Sequence, residues 1–136
     1  MDDVDRKIIK ILKNNGRATY SEIGKEVSLS EGAIRKRING LMDSGVIRRF
    51  TVKVGLTQGA EAIMLISINP AFPTSEISHV LMKIPYVETV YEITGPHDIA
   101  VIISAMNIAE VNECIEKIRR VNGVTNTNTM IILHSW

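Results

Sequence analysis

The spacing of apolar residues changes near the middle of the chain, and this change constrains the fold more than any other feature. Up to residue 45, apolar residues recur every three or four positions, which is the period of an amphipathic α-helix. From Val46 there are also segments in which apolar residues alternate or form short continuous runs, which is typical of β-strands. We therefore expect an α+β chain with a domain over residues 1–45, a hinge strand and linker over 46–61, and a second domain over 62–136.

Charge divides the chain in the same region. Up to Gly55 there are 12 Lys or Arg residues against 7 acidic ones, a balance of +5, whereas the remainder has 4 against 8, a balance of −4. The overall net charge of +1 hides this difference. A basic part joined to an acidic part indicates that the first binds a polyanion and that the second has another task.

The residues that enzymes and metal sites need are sparse. The single cysteine, Cys114, permits no internal disulfide and no cysteine-based zinc site, and we expect its thiol to be buried and inert. The three histidines, at 79, 97 and 134, have no metal-ligand spacing. No glycine-rich phosphate-binding motif occurs. We therefore expect neither enzymatic activity nor a cofactor.

Two features bear on location. The sequence has no apolar run of 18 residues, and it starts with the acidic Met1-Asp2-Asp3, where an export signal would be basic. We therefore expect no membrane partner and a cytoplasmic protein.

Three helices are predicted in the first 45 residues. Acidic residues that favour a helix N-terminus precede an apolar stripe, so the first helix is expected over Asp3–Asn14. The segment Thr19-Tyr20-Ser21-Glu22 has the form of a capping box and predicts a second helix over Tyr20–Val27. Ser30 is a favoured N-cap residue and starts a third helix that ends at Gly45. The last two helices and their short connection form a helix-turn-helix.

The third helix combines an apolar face with a basic one. Ile34, Ile38 and Leu41 share one side, and the opposite side carries small, basic and amide side chains at Gly32, Arg35, Lys36 and Asn39. Such a face suits the DNA major groove, because Arg and Lys reach guanine or phosphate and Asn pairs with adenine. A merely solvated charged face is the alternative.

A period-two stretch follows the third helix. The alternation over Val46–Val54 predicts a strand, and a loop is expected over residues 55–59. Arg48 and Arg49 open this strand. They contact backbone phosphates or face water.

The run Ser30-Glu31-Gly32-Ala33-Ile34-Arg35-Lys36-Arg37-Ile38-Asn39-Gly40-Leu41, continued by Gly45-Val46-Ile47, resembles the S-x-x-x-V-x-x-R-I-x-x-L-x-x-x-G-V-I signature of the Lrp/AsnC regulators, here of the archaeal type. The opening Asp5-Arg6-Lys7-Ile8-Ile9 is similar to that family's first helix. The resemblance implies a sequence-specific transcription regulator whose third helix is the recognition helix. It also implies that Arg37 contacts the DNA backbone or has a structural role.

The predicted DNA contacts fall into two groups. The residues placed in the groove are Glu31, Gly32, Arg35, Lys36 and Asn39, with Ser30 at the helix start. Backbone contacts are assigned to Thr19, Tyr20, Arg37, Arg48 and Arg49.

The C-terminal part repeats one supersecondary unit. The pattern predicts strand Ala62–Ile68, helix Thr74–Lys83, strand Val87–Ile93, strand Ile99–Ala105, helix Ile108–Arg120 and strand Val124–Leu133. The strands that start at Ala62 and Ile99 begin 37 residues apart, as do those that start at Val87 and Val124. Two βαβ units of equal length predict a ferredoxin-like βαββαβ sandwich.

One sheet face lacks a cover. Strands 62–68 and 99–105 are almost continuously apolar, yet two helices cover only one face of a four-stranded sheet. We therefore expect a homodimer joined sheet to sheet, with two recognition helices about 34 Å apart on DNA. The family resemblance implies further assembly into tetramers or octamers.

A polar loop suggests a second binding site. Gly95-Pro96-His97-Asp98 is similar to the G-D-x-D loop with which the family receives a free amino acid between dimers, although Pro96 replaces the first acid. Thr127 and Thr129 match the family's T-x-T on the last strand. A tight hairpin and ordinary strand threonines are the alternative. If an effector binds, the acidic charge of this part favours a basic amino acid such as lysine.

Two other functions are compatible with the sequence. A ligand-sensing subunit that docks on an enzyme would use its N-terminal helices on protein instead of DNA. A small enzyme on the ferredoxin-like part would need a bound metal or cofactor.

Overall fold

The computed structural model describes residues 1–55 and 59–136, so part of the loop expected over residues 55–59 lies outside the described residues. Two compact units form, over residues 1–53 and 54–136. No helix in the described part of the chain has both the length and the apolarity needed to cross a membrane.

The first unit contains three helices: α1 (Asp3–Asn14), α2 (Tyr20–Val27) and α3 (Glu31–Asp43). Each begins where a side-chain oxygen accepts a bond from a free backbone N–H, namely at Asp2, Thr19 and Ser30. The predicted helix positions are confirmed.

The turn between α2 and α3 is tight. Ser28 adopts a left-handed conformation with φ of 57°, and the Leu29 N–H donates to the Gly24 carbonyl at 2.9 Å. A Cβ atom on Gly24 would lie only 2.4 Å from the Leu29 carbonyl oxygen. This turn therefore requires glycine at position 24, which sets how closely the two helices meet.

The predicted strand over Val46–Val54 is wrong. No strand is assigned between residues 46 and 55, and the first of these residues complete the end of α3, where the Ile47 N–H donates to the Leu41 carbonyl at 2.9 Å. A strand needs a hydrogen-bonded neighbour, and the described strands pair only with one another. Without a partner the segment forms no strand, and its Val52 residue is 82% exposed.

The second unit is a four-stranded sheet with two helices. Its elements are β1 (Ala60–Ile68), α4 (Thr74–Met82), β2 (Val87–Glu92), β3 (Ile99–Ala105), α5 (Ile108–Arg119) and β4 (Val124–Ile131). The strand order is β2-β3-β1-β4, with every neighbouring pair antiparallel. The predicted α+β class and ferredoxin-like βαββαβ order are confirmed.

Alternation separates the two faces of this sheet. In β1 the buried side chains of Ala62, Met64, Ile66 and Ile68 lie in the core with those of α4 and α5. The residues between them point to the other face, where Ile63 pairs with Ile102 and Leu65 with Ala100. These four side chains are only half-buried in the single chain.

Candidate nucleic-acid interface and effector site

The outward face of α3 is polar, basic and open. Ile34, Ile38 and Leu41 are buried at 4% exposure or less. The residues predicted to enter the groove are all exposed: Glu31, Gly32, Arg35, Lys36 and Asn39. Because the glycine lacks a side chain, a duplex can approach the start of this helix closely.

Arg35 lies over an aromatic ring. Its guanidinium carbon is 5.6 Å from the centroid of the Tyr20 ring, within the range of a cation–π contact. Tyr20 is half-buried at the start of α2 and packs against the helical core. This contact restrains the planar guanidinium, whose five N–H groups match guanine edges.

Arg37 is hydrogen-bonded to two acidic residues at the start of α1. Its Nη1 atom lies 2.7 Å from Asp2 Oδ2 and 2.8 Å from Asp5 Oδ1. These bonds raise the pKa of Arg37. The backbone N–H of Asp5, followed by Arg37, lowers the pKa of Asp2 to about 2. The family resemblance gives Arg37 either a contact with the DNA backbone or a structural role. The intramolecular contacts in the structure correspond to the structural role.

Two hydroxyls predicted near DNA are helix caps. The Oγ atoms of Thr19 and Ser30 accept from the N–H groups of Glu22 and Ala33, each at 3.2 Å. The Glu22 carboxylate accepts from the Thr19 N–H at 2.7 Å, and this bond lowers the pKa of Glu22. The Thr19 hydroxyl also bonds the Glu22 carboxylate, whereas the Ser30 hydroxyl donates to no acceptor among the described residues and can donate to a phosphate.

Arg48 and Arg49 are exposed on the segment that follows α3. Together with apolar side chains of α1, including Ile9 and Leu12, this segment lines a groove of about 840 Å³. Neither arginine makes a side-chain hydrogen bond or ion pair with the described residues, so both guanidinium groups can reach a DNA phosphate or water.

The loop predicted to bind an effector closes onto the end of β1. Gly95 has φ of 111°, a conformation that favours glycine. His97 Nδ1 lies 3.2 Å from Ser67 Oγ, and the Asp98 carboxylate accepts from the Ile68 N–H at 2.9 Å. Gly95 and Pro96 are exposed. The polar side chains of this loop that hydrogen bonds hold in place are those of His97 and Asp98.

Thr127 and Thr129 lie on the other side of β1. They pair with Ile66 and Met64, whereas the backbone N–H of Asp98 donates to the Ile66 carbonyl from the β3 side. Two strand spacings separate the β3 and β4 residues of a row, or about 10 Å. The structure thus brings the loop residues together but leaves the threonine pair across the sheet.

The two threonines differ in their partners. Thr127 Oγ1 accepts a long bond of 3.4 Å from Arg119 Nε. Thr129 Oγ1 is buried, and no hydrogen-bond partner is found for it in the described part of the chain. An unsatisfied buried hydroxyl is unfavourable, and this oxygen is closed to solvent in the single chain.

Four of these features were not predicted from the sequence. Nothing local connects Tyr20 to Arg35 or Arg37 to Asp2, because each pair joins different helices. The box at Asp2 and Asp5 was detectable from its spacing of three residues. The need for Gly24 arises only when Leu29 folds back on it.

Comparison with known proteins agrees with this architecture. Residues 1–42 match the AsnC-type helix-turn-helix domain, and residues 61–136 match the Lrp/AsnC ligand binding domain. The HTH-type transcriptional regulator LysM of Saccharolobus solfataricus is 47% identical over 100% of this chain and 96% of its own length. The regulator FL11 of Pyrococcus horikoshii is 40% identical over 98% of this chain and 89% of its own length.

A solved structure shows the same fold. The Mycobacterium tuberculosis leucine response regulatory protein LrpA superimposes with a TM-score of 0.84 at 25% identity, over 100% of this chain and 94% of that one.

A basic helix-turn-helix unit followed by a ligand-binding sandwich defines a DNA-binding transcription regulator, and not an enzyme. The chain belongs to the Lrp/AsnC family. The resemblance carried by residues 30–47 is therefore confirmed.

Proposed function

We propose that the regulator recognises its operator with the outward face of α3. The observation that carries this proposal is the division of α3 into a buried apolar side and an exposed side that presents Arg35, Lys36 and Asn39. Thr19, Tyr20 and Ser30 lie at the starts of α2 and α3, where hydroxyls and backbone dipoles favour phosphates. We propose a cytoplasmic location, which is consistent with DNA binding.

Two arginine variants test this assignment. On a duplex selected from a random library, Arg35→Ala should relax base preference at one position and cost about 10-fold or more in affinity. Arg49→Ala should weaken all duplexes equally. Equal losses on all sequences for both variants would assign Arg35 to the backbone.

The sheet face away from the helices is proposed to join two copies of the chain. Ile63, Leu65, Ala100 and Ile102 form a half-buried apolar row between Tyr91 on one edge strand and Met130 on the other. Covering such a row contributes about 25 cal/mol per Å². Leu65→Lys should give a monomer in sedimentation velocity, whereas a dimer that persists in this variant contradicts the interface. The same runs show whether dimers associate into tetramers or octamers.

An amino-acid effector is proposed for the C-terminal unit. Support comes from its match to a ligand-binding domain, from the named leucine response of the M. tuberculosis protein, and from the unpaired Thr129 hydroxyl. Because the loop and the threonine pair flank β1, a second dimer is needed to complete the site. Asp98 suits an α-ammonium group, and the acidic charge of the unit favours lysine.

A thermal-shift series with the twenty amino acids tests this effector. Thr129→Val removes the unpaired hydroxyl at nearly constant shape, so it should abolish the ligand-induced shift without destabilising the free protein. Asp98→Asn keeps an acceptor for the Ile68 N–H and removes the charge. No shift with any amino acid in the unaltered protein would refute the proposal.

A further inference from the structure

Arg37 makes a directional contact between the recognition helix and the start of α1. Ile34 and Ile38 pack with Ile8 in the helical core, and this packing sets which side of α3 is buried. Apolar attraction is non-directional, so a hydrogen-bonded ion pair adds a defined geometry that the packing lacks. Arg37 adds two charge-assisted bonds, of 2.7 and 2.8 Å, from the middle of α3 to the start of α1.

The two carboxylates are themselves held in place. The Asp2 side chain accepts from the Asp5 N–H at 2.8 Å, and the Asp5 side chain accepts from the Asp2 N–H at 2.9 Å. This capping box makes the pair a rigid acceptor. Both hydrogens of Arg37 Nη1 are used by the two carboxylates.

Charge sets this cluster apart from the rest of the α3 surface. One guanidinium against two carboxylates leaves a net charge of −1, and the lowered pKa of Asp2 keeps the Asp2 carboxylate ionised at neutral pH. A DNA phosphate would be repelled by such a site. Asp5 and Arg37 are also the least exposed members, with side chains 14% and 33% accessible.

We infer that Asp2 and Asp5 position Arg37 so that it fixes the orientation of the recognition helix, and that Arg37 neutralises no DNA phosphate. Arg37 is then a positioning residue for operator recognition. Its effect on DNA passes through Arg35, Lys36 and Asn39, which are carried on the same helix.

Salt dependence separates this role from a phosphate contact. The logarithm of duplex affinity falls against the logarithm of salt with a slope of about −0.9 for each phosphate neutralised. Arg37→Gln should lower affinity for the library-selected duplex about 10-fold at every salt concentration, with the slope unchanged. A slope that becomes shallower by about 0.9 would overturn the inference, because Arg37 would then contact a phosphate.

The operator affinity of a second variant tests the inference independently. Asp5→Asn should reduce operator affinity relative to Asp3→Asn, a matched control that removes the same charge from the same helix end. Asp3 is 88% exposed and pairs with Arg6 at 3.1 Å instead of Arg37. Higher affinity for Asp5→Asn than for Asp3→Asn would contradict the inference, since it would mean that the carboxylate withholds Arg37 from DNA.

Folding must be measured separately from binding. Affinities are compared at a temperature where circular dichroism shows each variant to be folded, and against a scrambled duplex of the same length. Positioning predicts that the ratio of operator to scrambled affinity falls. If both variants lower only the melting temperature and this ratio is unchanged, the contact is structural and the inference fails. Should Arg37→Gln not fold, Asp5→Asn decides the matter, because asparagine retains an acceptor for the cap.

Discussion

Gly24→Ala should destabilise the helix-turn-helix by about 2 kcal/mol. The new Cβ would lie 2.4 Å from the Leu29 carbonyl oxygen and 3.7 Å from Ile34 Cγ1. The oxygen belongs to the backbone of a two-helix turn and has little freedom to move, so the cost lies near the upper end of about 1–3 kcal/mol for overpacking. The higher helix propensity of alanine offsets about 1 kcal/mol of this overpacking cost.

Thermal unfolding followed by circular dichroism at 222 nm measures this change, and a loss of about 2 kcal/mol lowers the melting temperature by roughly 8–16 °C in a unit of this size. Gly40→Ala is the matched control, since Gly40 lies in α3 with no atom within 4 Å of the added Cβ. This control should gain about 0.5–1 kcal/mol. Equal effects of the two substitutions would refute the account of the turn.

Three further predictions concern separate groups. Ser30→Ala should cost about 1 kcal/mol in urea denaturation by removing the α3 cap, whereas Ser30→Asp should cost little. The pKa of Asp2 is lowered from 3.8 to about 2, so its contribution to stability is present above pH about 4 and is lost as the pH falls through about 2. In acid titrations the stability of Asp2→Asn should therefore vary less over that range than the stability of the unaltered protein. Burial raises the pKa of the Cys114 thiol to about 11, so it should react with a disulfide reagent at pH 8 only after unfolding, and fast reaction of the native protein would contradict its placement in the core.

The elements predicted well from sequence are those with local signals. Thr19 and Glu22 form the predicted capping box, and α2 begins and ends at the residues expected. The apolar run Ile99–Ala105 fills a central strand that other strands flank on both sides, so its bounds also agree. Local hydrogen bonding and burial determine such elements, and both are visible in a short window of sequence.

The features that sequence could not supply depend on distant partners. The alternation over Val46–Val54 is genuine, yet a strand forms only beside another strand, which the described chain does not offer. Arg37 resembles the other bases of α3 until the fold brings Asp2 and Asp5 beside it. Thr127 and Asp98 belong to two family motifs that the resemblance assigns to one site, but the sheet order places β1 between them. Tertiary neighbours decide each of these cases.

The most direct test of the account is methylation interference at guanine N7 on the library-selected duplex. N7 lies in the major groove, where an arginine binds it together with O6. We expect methylation of at least one guanine in each half-site to block binding of the unaltered protein, and Arg35→Ala to lose sensitivity at that guanine. Binding that N7 methylation leaves unchanged at every position would contradict recognition by the exposed face of α3.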